Sequence, residues 1–483
     1  MTDQVSTQHP RLERSVEFPK PGILHFGPGA FFRAFNAPFT DDAMVKQGGD
    51  WGIVAVSLKS SSARESLSPQ GCAYTAVELG PTGRNARQVN AICDVLVAPD
   101  NPAAVVDCLS DPAIKIASLT VTEKGYCHNP STGGLDFTHP DIAHDLTELT
   151  EPRSALGFIV AALGRRRSQG DAPFTVLSCD NLPSNGRLLR GLVLEFATSY
   201  DRDLAQWIDD HVPFPCTMVD RITPATTADD IAELAHSEGY YDPACVVHEP
   251  FRQWVIEDDF ADGRPAWDSV GAQFVKDVEA HELMKLRCLN GTHSTLAYLG
   301  YLAGYETIAE SVADPTFARL CEKLWAEEIL PTVPQPQGED LEAYCRSLLE
   351  RYQNPSIRHR TWQIAMDGSQ KLPQRLLGTI GDNLRQGRMP KGLCLAVAAW
   401  MKYVGGVDER GQQIDVRDPL ADLLKRHLDA AASPVDRVEA LLSIEDIFDP
   451  SLVDRPEFRE AILDAYERLD LHGSKETVRL YVG

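Results

Sequence analysis

Ile23-Leu24-His25-Phe26-Gly27-Pro28-Gly29 is the stretch from which the fold can be worked out. A short apolar run ends in a Gly-x-Gly turn, and the residues that follow are compatible with a helix. Proteins hold a dinucleotide pyrophosphate in this setting, because the glycines permit a tight turn and close approach of the backbone. Gly27 and Gly29 are therefore predicted cofactor-binding residues. The third glycine of the usual motif is missing, since Phe32 stands in its place. An ordinary strand-to-helix turn stays an open alternative.

Further apolar runs alternate with helical patterns along the first half of the chain. The predicted strands cover 52–58, 114–122, 174–179 and 216–219, and helices are predicted over 103–109 and 154–167. Such alternation is typical of a largely parallel sheet covered by helices on both faces. From about residue 280 the apolar spacing becomes helical. We therefore predict an α/β fold with a Rossmann-like dinucleotide-binding domain over 1–280 and a mainly α-helical substrate-binding domain over 281–483.

The composition is that of a globular protein, with 43% hydrophobic and 24% charged residues among 483. The net charge of −24 argues against a nucleic-acid partner, because phosphate binding needs clustered Lys and Arg. The densest apolar stretch, 393–401, is too short to span a bilayer and predicts a buried helix. The first 20 residues lack the apolar core of an export signal, and the eleven cysteines include no CxxC pair. We therefore expect reduced thiols and a cytoplasmic protein.

The end of the second predicted strand lacks the carboxylate that binds the ribose 2′-hydroxyl of NAD. Lys59 and three serines stand there instead, with Arg64 just beyond. Because a carboxylate would also repel a 2′-phosphate, its absence leaves NADP open beside NAD. Lys59 is accordingly a candidate cofactor contact, and a solvent-facing lysine is the alternative.

Polar residues follow two other predicted strands at their carboxyl ends, which is where open parallel sheets bind ligands. Glu123 and Lys124 follow one apolar run, and Asp180 and Asn181 follow another. These side chains are therefore placed to meet a cofactor or a substrate. A surface turn in the first case and an Asx-turn in the second are the alternatives.

Lys285-Leu286-Arg287-Cys288-Leu289-Asn290-Gly291-Thr292-His293 lies where the helical half begins. It combines a lysine, an amide and an imidazole with apolar neighbours, and burial lowers a lysine pKa towards the range of a general base. On a helix that advances about 100° per residue, Lys285 and His293 lie about 80° apart, with Asn290 beside His293. Glu282 precedes Lys285 by one turn and could relay protons. The alternative is a solvated lysine beside an Asn-Gly turn.

Other chemistries lack a motif in this chain. HExxH and GxSxG are absent, and the histidines show no ligand spacing with Cys or Asp. We therefore expect neither a metal ion nor a serine nucleophile. Elsewhere in the helical half, Asp418 followed by Pro419 predicts a helix start, with a capping side chain before a proline.

Taken in order, these clusters resemble the long-chain polyol dehydrogenases of the mannitol dehydrogenase type, over nearly the whole chain. The resemblance lies in five stretches, which are His25 to Phe31, Thr122 to Cys127, Cys179 to Pro183, Met218 to Ile222 and Lys285 to His293. Two more are most similar to the fructuronate reductases of that family, namely Glu249 to Asp258 and Arg358 to Lys371. Within the second of these, Gln363 stands where mannitol dehydrogenases usually carry an arginine.

The resemblance implies catalytic roles for individual residues. Lys285 matches the general acid/base, and Asn181 and Asn290 match the amides that bind the alkoxide-like oxygen. His293 matches a contact to a substrate hydroxyl, and Glu282 a carboxylate near the site.

Cofactor and substrate residues are implied in the same way. Ala30 and Phe31 extend the glycine turn, and Glu123 and Asp180 stand at the two strand ends. Relatives often have histidine at the places of Phe32 and Phe35. On the substrate side the match is Lys371, and Arg358, Arg360 and Arg375 are candidates for a carboxylate, since a guanidinium suits that group. A basic helix face is the alternative reading of these arginines.

The expected activity is the reversible reduction of D-fructuronate to D-mannonate. We expect NAD as the cofactor, with NADP as the open alternative, and no metal ion. The alternatives are a mannitol 2-dehydrogenase and, in another class, a non-catalytic dinucleotide or sugar-acid binding protein. The expected partner is a small sugar acid or polyol, with neither nucleic acid nor membrane, and the protein is expected to be a monomer or weak homo-oligomer.

Overall fold

The apolar run before the Gly-x-Gly turn is a central strand of a parallel sheet in the computed structural model, which describes residues 9–129 and 132–483. Contacts divide the chain into a first unit that ends at Glu279 and a second that spans Ala280–Gly483. The strands are β1 (Pro21–Phe26), β2 (Gly52–Ser57), β3 (Tyr74–Gly80), β4 (Gly83–Val89), β5 (Ile92–Val97), β6 (Ile116–Leu119), β7 (Thr175–Ser178), β8 (Thr217–Asp220), β9 (Val246–His248), β10 (Gln253–Glu257) and β11 (Gln273–Val275).

The main sheet has the order β5-β2-β1-β6-β7, and every neighbouring pair in it is parallel. The order reverses between β1 and β6, as in the Rossmann fold, and ligands of such sheets bind outside the carboxyl ends at that point. β2, β6 and β7 are buried along their whole length. Strands covered on both faces read as continuous apolar runs, which is why the sequence revealed them. The predicted Rossmann-like fold class is confirmed.

Helices and two smaller sheets complete the first unit. The smaller sheets have the orders β11-β10-β8 and β4-β3-β9. The predicted strand at 216–219 is thus real but lies in a smaller sheet, where β8 runs antiparallel to β10. The α-helices are Ala30–Ala34, Asn36–Gln47, Ser62–Leu67, Pro102–Ser110, Thr122–Gly125, Pro140–Asp145, Ala155–Gln169, Asn185–Tyr200, Arg202–His211 and Ala228–Glu238, with 3-10 turns at Ser68–Gln70 and Trp267–Val270.

The second unit is helical throughout the part that is described. Its α-helices are Glu279–Met284, Thr292–Leu302, Ile308–Ala313, Pro315–Leu324, Leu341–Tyr352, Thr361–Ala365, Gly368–Leu372, Gly378–Arg385, Lys391–Tyr403, Ala421–Asp429, Pro434–Leu442, Pro450–Val453 and Pro456–Val482, the last interrupted at Gly473. Wider π-type turns cover Lys285–Gly291, Trp325–Ile329 and Pro373–Leu377, and a 3-10 turn covers Leu330–Thr332. The apolar stretch at 393–401 is a buried helix, as predicted.

The predicted helix start is wrong by two residues, because the pattern put the cap at Asp418 and the first helical residue at Pro419, whereas the helix begins at Ala421. The Asp418 carboxylate accepts hydrogen bonds from the backbone N–H of Leu420 at 2.9 Å and from both the N–H and the hydroxyl of Ser369. A residue distant in sequence therefore shares the side chain that the sequence pattern assigned to helix capping.

A hydrogen-bonded chain ties β1 to β6. The Thr120 hydroxyl donates to the Gly27 carbonyl at 2.8 Å, so the Thr120 oxygen must accept from the His25 Nε2–H at 2.9 Å. His25 Nδ1 is then the acceptor for the Ser118 hydroxyl at 2.8 Å. The His25 ring is fully buried and uncharged, and burial lowers its pKa to about 3. Neutral imidazole is the form that this network requires.

Acid should therefore destabilise the folded protein through His25. Between pH 6.5 and about 3 the unfolded histidine takes up a proton that the folded one refuses, so lowering the pH favours unfolding. We expect His25→Asn to make the decline of the unfolding free energy below pH 6.5 shallower, by up to about 1.4 kcal/mol per pH unit. Urea denaturation at pH 7, 6 and 5 measures this slope.

His211→Asn is the control, because His211 is exposed on the helix Arg202–His211 and bonds the Trp207 carbonyl. This variant should keep the wild-type slope. Equal slopes in the wild type and in His25→Asn would contradict the assigned role of His25.

Candidate active site

The glycine turn at the end of β1 is shaped by Gly27. Its φ is 90°, which favours glycine, and a Cβ there would lie 2.2 Å from the Thr120 carbonyl oxygen. Its N–H donates to the Val56 carbonyl at 3.0 Å, so the turn is held against β2 as well as β6. Gly27 is required by the protein's own packing.

Gly29 has a different reason to be glycine. Its φ is −73°, an ordinary value, and a Cβ would meet only the Gly27 carbonyl oxygen, at 3.9 Å. Gly29 is exposed and directly precedes the helix Ala30–Ala34. No other described atom lies within 4 Å of that position, so this residue leaves room for a ligand to approach the backbone. The turn therefore fits a dinucleotide pyrophosphate.

Phe32 occupies the place of the missing third glycine, and it packs where that glycine would allow close contact of helix and strand. Its ring stacks on His25 with centroids 3.7 Å apart and planes 11° from parallel. Phe35 is also buried and stacks on the partly buried Phe31 at 5.1 Å. Phe32 and Phe35 thus form the core under the turn, while Ala30 and Phe31 keep partial exposure beside it.

The ends of β6 and β7 are joined by Asp180. Its carboxylate accepts the backbone N–H groups of Val121 and Thr122, both at 3.0 Å, and the Tyr126 hydroxyl at 2.8 Å. Burial raises the pKa of Asp180, and these bonds oppose that rise. Asp180 therefore holds the loop after β6 in place, and a cofactor contact for it stays a prediction. On either side of this joint, Glu123 and Asn181 are exposed at the carboxyl edge of the sheet.

Basic residues beyond β2 are matched by aspartates. Lys59 pairs with Asp141 at 2.7 Å, and Arg64 pairs with Asp100 at 2.6 Å. These pairs are exposed, so each contributes little to stability. They do reduce the positive charge that a ribose 2′-phosphate would need at this place.

Lys285–Gly291 winds as a π-helix between the α-helices Glu279–Met284 and Thr292–Leu302. In an α-helix Lys285 and Asn290, five residues apart, would differ by about 140°. A bonding pattern from residue i to i+5 brings such residues nearly above one another, and turns of this kind are frequent at functional sites. Lys285, Asn290 and His293 are all buried, each 8% exposed. The solvated lysine and the Asn-Gly turn are both excluded.

Side chains donate hydrogen bonds to backbone carbonyls of the wide turn. The Trp325 indole donates to the Cys288 carbonyl at 3.0 Å, and the Tyr352 hydroxyl donates to the Leu289 carbonyl at 2.9 Å. The Thr295 hydroxyl donates to the Gly291 carbonyl at 2.9 Å. These donors come from three different places in the second unit and hold the turn that carries Lys285.

The His293 ring lies between two other rings, stacked on Tyr352 at 5.5 Å and edge-on to His359 at 4.6 Å. Its Nε2 is buried and has no hydrogen-bond partner among residues 9–129 and 132–483. Burial is the first cause that holds the pKa of His293 well below its usual value. Repulsion by His359 and by three cations, Arg375, Arg351 and Lys371, adds to this. The imidazole is therefore neutral and its surroundings are positive.

The predicted substrate-side residues occupy different positions. Lys371 is one of the cations near His293, and its Nζ donates to the Met366 carbonyl at 2.5 Å. Arg358 and Arg360 are both exposed, and Arg360 pairs with Glu306 at 3.8 Å. Glu282 is partly exposed, one turn before Lys285. Their functions stay predictions.

Sequence reasoning missed three residues that the structure brings to His293, namely Arg351, Tyr352 and His359. His359 lies between Arg358 and Arg360, and in that segment only these two arginines were considered as partners for a carboxylate. Alternation along an extended segment is a signal that could have found it, since His359 turns inward where its neighbours are exposed.

The described residues contain neither a membrane-spanning helix nor a metal site. No helix within 9–129 and 132–483 has both the length and the apolar character needed to cross a membrane. No group of three or more His, Cys, Asp or Glu side chains in those ranges is arranged to hold a metal ion.

Comparison with known proteins gives full-length matches. The chain matches the mannitol dehydrogenase Rossmann domain over residues 21–269 and the mannitol dehydrogenase C-terminal domain over 277–470. It is 47% identical to the D-mannonate oxidoreductase of Escherichia coli K12, across 98% of this chain and 96% of that protein. It is 39% identical to the mannitol 2-dehydrogenase of Phaeosphaeria nodorum, across 96% and 81%. Pseudomonas fluorescens mannitol 2-dehydrogenase, solved as a ternary complex with NAD and D-mannitol, superposes with a TM-score of 0.86 at 38% identity, covering 100% of this chain and 98% of that one.

The two glycines of the turn should respond differently to a methyl group. Gly27→Ala should lower the unfolding free energy by at least about 2 kcal/mol, because of its positive φ and the clash with the Thr120 carbonyl. Gly29→Ala should change stability by less than about 1 kcal/mol. It should nevertheless weaken NADH binding at least tenfold, because the methyl group enters the space left for the ligand.

Urea denaturation measures the change in stability of each variant, and fluorescence titration with NADH measures the change in binding. If Gly29→Ala binds NADH as tightly as the wild type, the turn is not the pyrophosphate site.

Proposed function

The chain belongs to the mannitol dehydrogenase family, and we propose that it is an NAD-dependent sugar-acid dehydrogenase that interconverts D-fructuronate and D-mannonate. The observation that carries this proposal is the positive environment of His293, supplied by Arg351, Lys371 and Arg375 in a chain of net charge −24. A carboxylate is attracted by the charge of three nearby cations, whereas a neutral polyol can only accept hydrogen bonds from them. The 47% identity to a D-mannonate oxidoreductase supports the same substrate class.

Lys285 is proposed to move the proton. In reduction its ammonium donates to the substrate carbonyl oxygen as negative charge develops there, and in oxidation the neutral amine takes the hydroxyl proton. Asn290 lies five residues on, brought towards the same side by the π-type winding. Its amide is proposed to stabilise the oxyanion, and Asn181 is proposed as the second amide donor to that oxygen. Such a donor contributes roughly 3–4 kcal/mol to transition-state stabilisation.

His293 and Glu282 have supporting roles in the proposal. The unpartnered Nε2 of His293 is suited to a substrate hydroxyl, since a buried imidazole nitrogen needs a hydrogen-bond partner. Glu282, one turn before Lys285, is placed to exchange protons between the lysine and water. Both assignments agree with the roles that family resemblance implies.

NAD is the proposed cofactor, and it supplies or accepts the hydride when bound. Gly27, Gly29, Ala30 and Phe31 would hold its pyrophosphate at the carboxyl end of β1. The pairing of Lys59 with Asp141 weakens the case for NADP, because it offsets the charge that a 2′-phosphate would use. A cytoplasmic, monomeric or weakly oligomeric enzyme is proposed on the sequence evidence alone.

Mannitol 2-dehydrogenase is the second candidate function. It is supported by relatives that carry this name at 38–39% identity over nearly the whole chain. That activity acts on a neutral substrate, so the positive charge of the cations near His293 would add no electrostatic attraction for it.

Substrate preference separates the two candidates. We expect kcat/KM for D-fructuronate to exceed that for D-fructose by at least tenfold, since a hydrogen bond to a charged group contributes about 1.5–3 kcal/mol. Oxidation of NADH and of NADPH, followed at 340 nm with each sugar, gives both preferences in one set of assays. A higher kcat/KM for D-fructose than for D-fructuronate would contradict the sugar-acid proposal.

Removal of the proposed acid/base should stop turnover without loss of fold. Lys285→Met should lower kcat at least 100-fold, because general acid–base catalysis contributes about 10²–10⁴. NADH affinity should stay within about threefold, because the variant keeps the first unit intact. Lys425→Met is the matched control, since Lys425 is an exposed lysine paired with Asp429. Survival of turnover within a few-fold in Lys285→Met would exclude the mechanism and leave a binding protein as the better description.

A further inference from the structure

His359 is anchored by its backbone and directs its ring inward. Its carbonyl accepts the Ile308 N–H at 3.0 Å, and its own N–H donates to the Ile357 carbonyl at 2.8 Å. The next residue, Arg360, forms an isolated β-bridge with Thr307. With the backbone held in this way, the ring meets His293 edge-on at a centroid distance of 4.6 Å.

Two imidazole nitrogens in this pair, Nδ1 of His359 and Nε2 of His293, are buried and have no partner in the part of the chain that the structure describes. Buried polar atoms are nearly always hydrogen-bonded, so each such exception calls for an explanation. His293 Nε2 is accounted for by a substrate hydroxyl in the proposed function. His359 Nδ1 is left, and nothing in the mechanism so far uses it.

The surroundings of His359 are positive. Burial is the first cause that lowers its pKa to about 4, and Lys371 and Arg375 lower it further. No carboxylate of the described residues contributes to that shift. The ring is therefore neutral, with a proton on one nitrogen, in a positive field. If this nitrogen carries the proton and donates it to an anion, the buried atom gains a hydrogen-bond partner. The positive surroundings also favour that anion.

The neighbouring cations are held by other contacts. Lys371 Nζ donates to the carbonyls of Met366 at 2.5 Å and Ile364 at 3.4 Å. Arg375 Nη1 donates to the Ser294 hydroxyl at 3.1 Å. A Cβ on Gly291 would lie 3.0 Å from the Arg375 carbonyl oxygen, so glycine there allows the segment that carries Arg375 to approach the wide turn. Each of these two cations is thus tied to the protein by at least one hydrogen bond, and His359 Nδ1 is a further nitrogen in this place, without a partner among the described residues.

We propose that His359 is a specificity-determining residue, whose Nδ1–H binds the carboxylate of the sugar acid beside the hydroxyl bound by His293. This inference rests on the proposed function. The division of labour is that Lys371 and Arg375 set the potential while the imidazole sets the direction, so that acids and neutral polyols are told apart.

Asparagine and glutamine substitutions test which nitrogen acts. The amide of His359→Asn falls near the Nδ1 position, whereas the amide of His359→Gln falls near Nε2. His359→Leu removes both. We expect the ratio of kcat/KM for D-fructuronate to that for D-fructose to fall at least tenfold in the Gln and Leu variants and to be largely kept in the Asn variant. The loss should appear in KM for D-fructuronate, with KM for D-fructose within about twofold.

His427→Asn is the control, since His427 bonds the Ala440 carbonyl from the helix Ala421–Asp429. Thermal unfolding shows which variants are folded. Either His359→Gln or His359→Leu, if folded, is enough for the test. A folded Gln or Leu variant that keeps the wild-type ratio overturns the role of His359, as does an equal loss with both sugars. A wild-type preference for D-fructose instead overturns the proposed function itself, so the two failures are distinguishable.

Discussion

Hydrogen bonding of the carbonyls in the wide turn at Lys285–Gly291 is the constraint on which the second unit's chemistry depends. A π-type turn has hydrogen bonds from residue i to i+5 in place of the α-helical ones and is rare, so the contacts around it bear on whether it persists. The Tyr352 hydroxyl provides one such contact, to the Leu289 carbonyl, and the same ring stacks on His293. The group that stabilises the turn therefore also fixes the plane of the imidazole. Turn geometry and substrate geometry are not independent, and a change in packing at Tyr352 would reach Lys285 and His293 together.

The cations near His293 contrast with the charge of the whole chain. The net charge is −24, while Arg351, which is buried, and Lys371 and Arg375, which are half-buried, all act on this imidazole. Holding cations close together costs free energy, which a bound anion offsets. The two imidazoles stay uncharged first because burial disfavours their charged form, and also because a fourth and fifth positive charge would be repelled. Neutral donors inside a positive region suit an anionic ligand that must also be oriented.

Much of the first unit could be predicted because its signals are local. Continuous apolar runs reveal buried parallel strands, and Gly27 marks the turn whose φ demands glycine. The wide turn at Lys285 could not be predicted, since two of its side-chain donors lie 37 and 63 residues away and leave no mark on the local sequence. His359 was missed although its segment alternates, because its importance comes from the His293 ring that it meets in space. Asp418 shows the converse, a capping signal that a distant serine shares.

The stack of Phe32 on His25 has a consequence for how such turns diversify. In most dinucleotide folds a third glycine lets the helix close on the strand, whereas here an aromatic ring fills that gap against a neutral imidazole. Installing the missing glycine would open a void under the turn without recreating the usual motif, because the histidine would lose its partner. The helix and the strand thus depend on each other through this stack. Restoring the standard motif requires Phe32 and His25 to change together, because a change at one of them alone leaves the other without its packing partner.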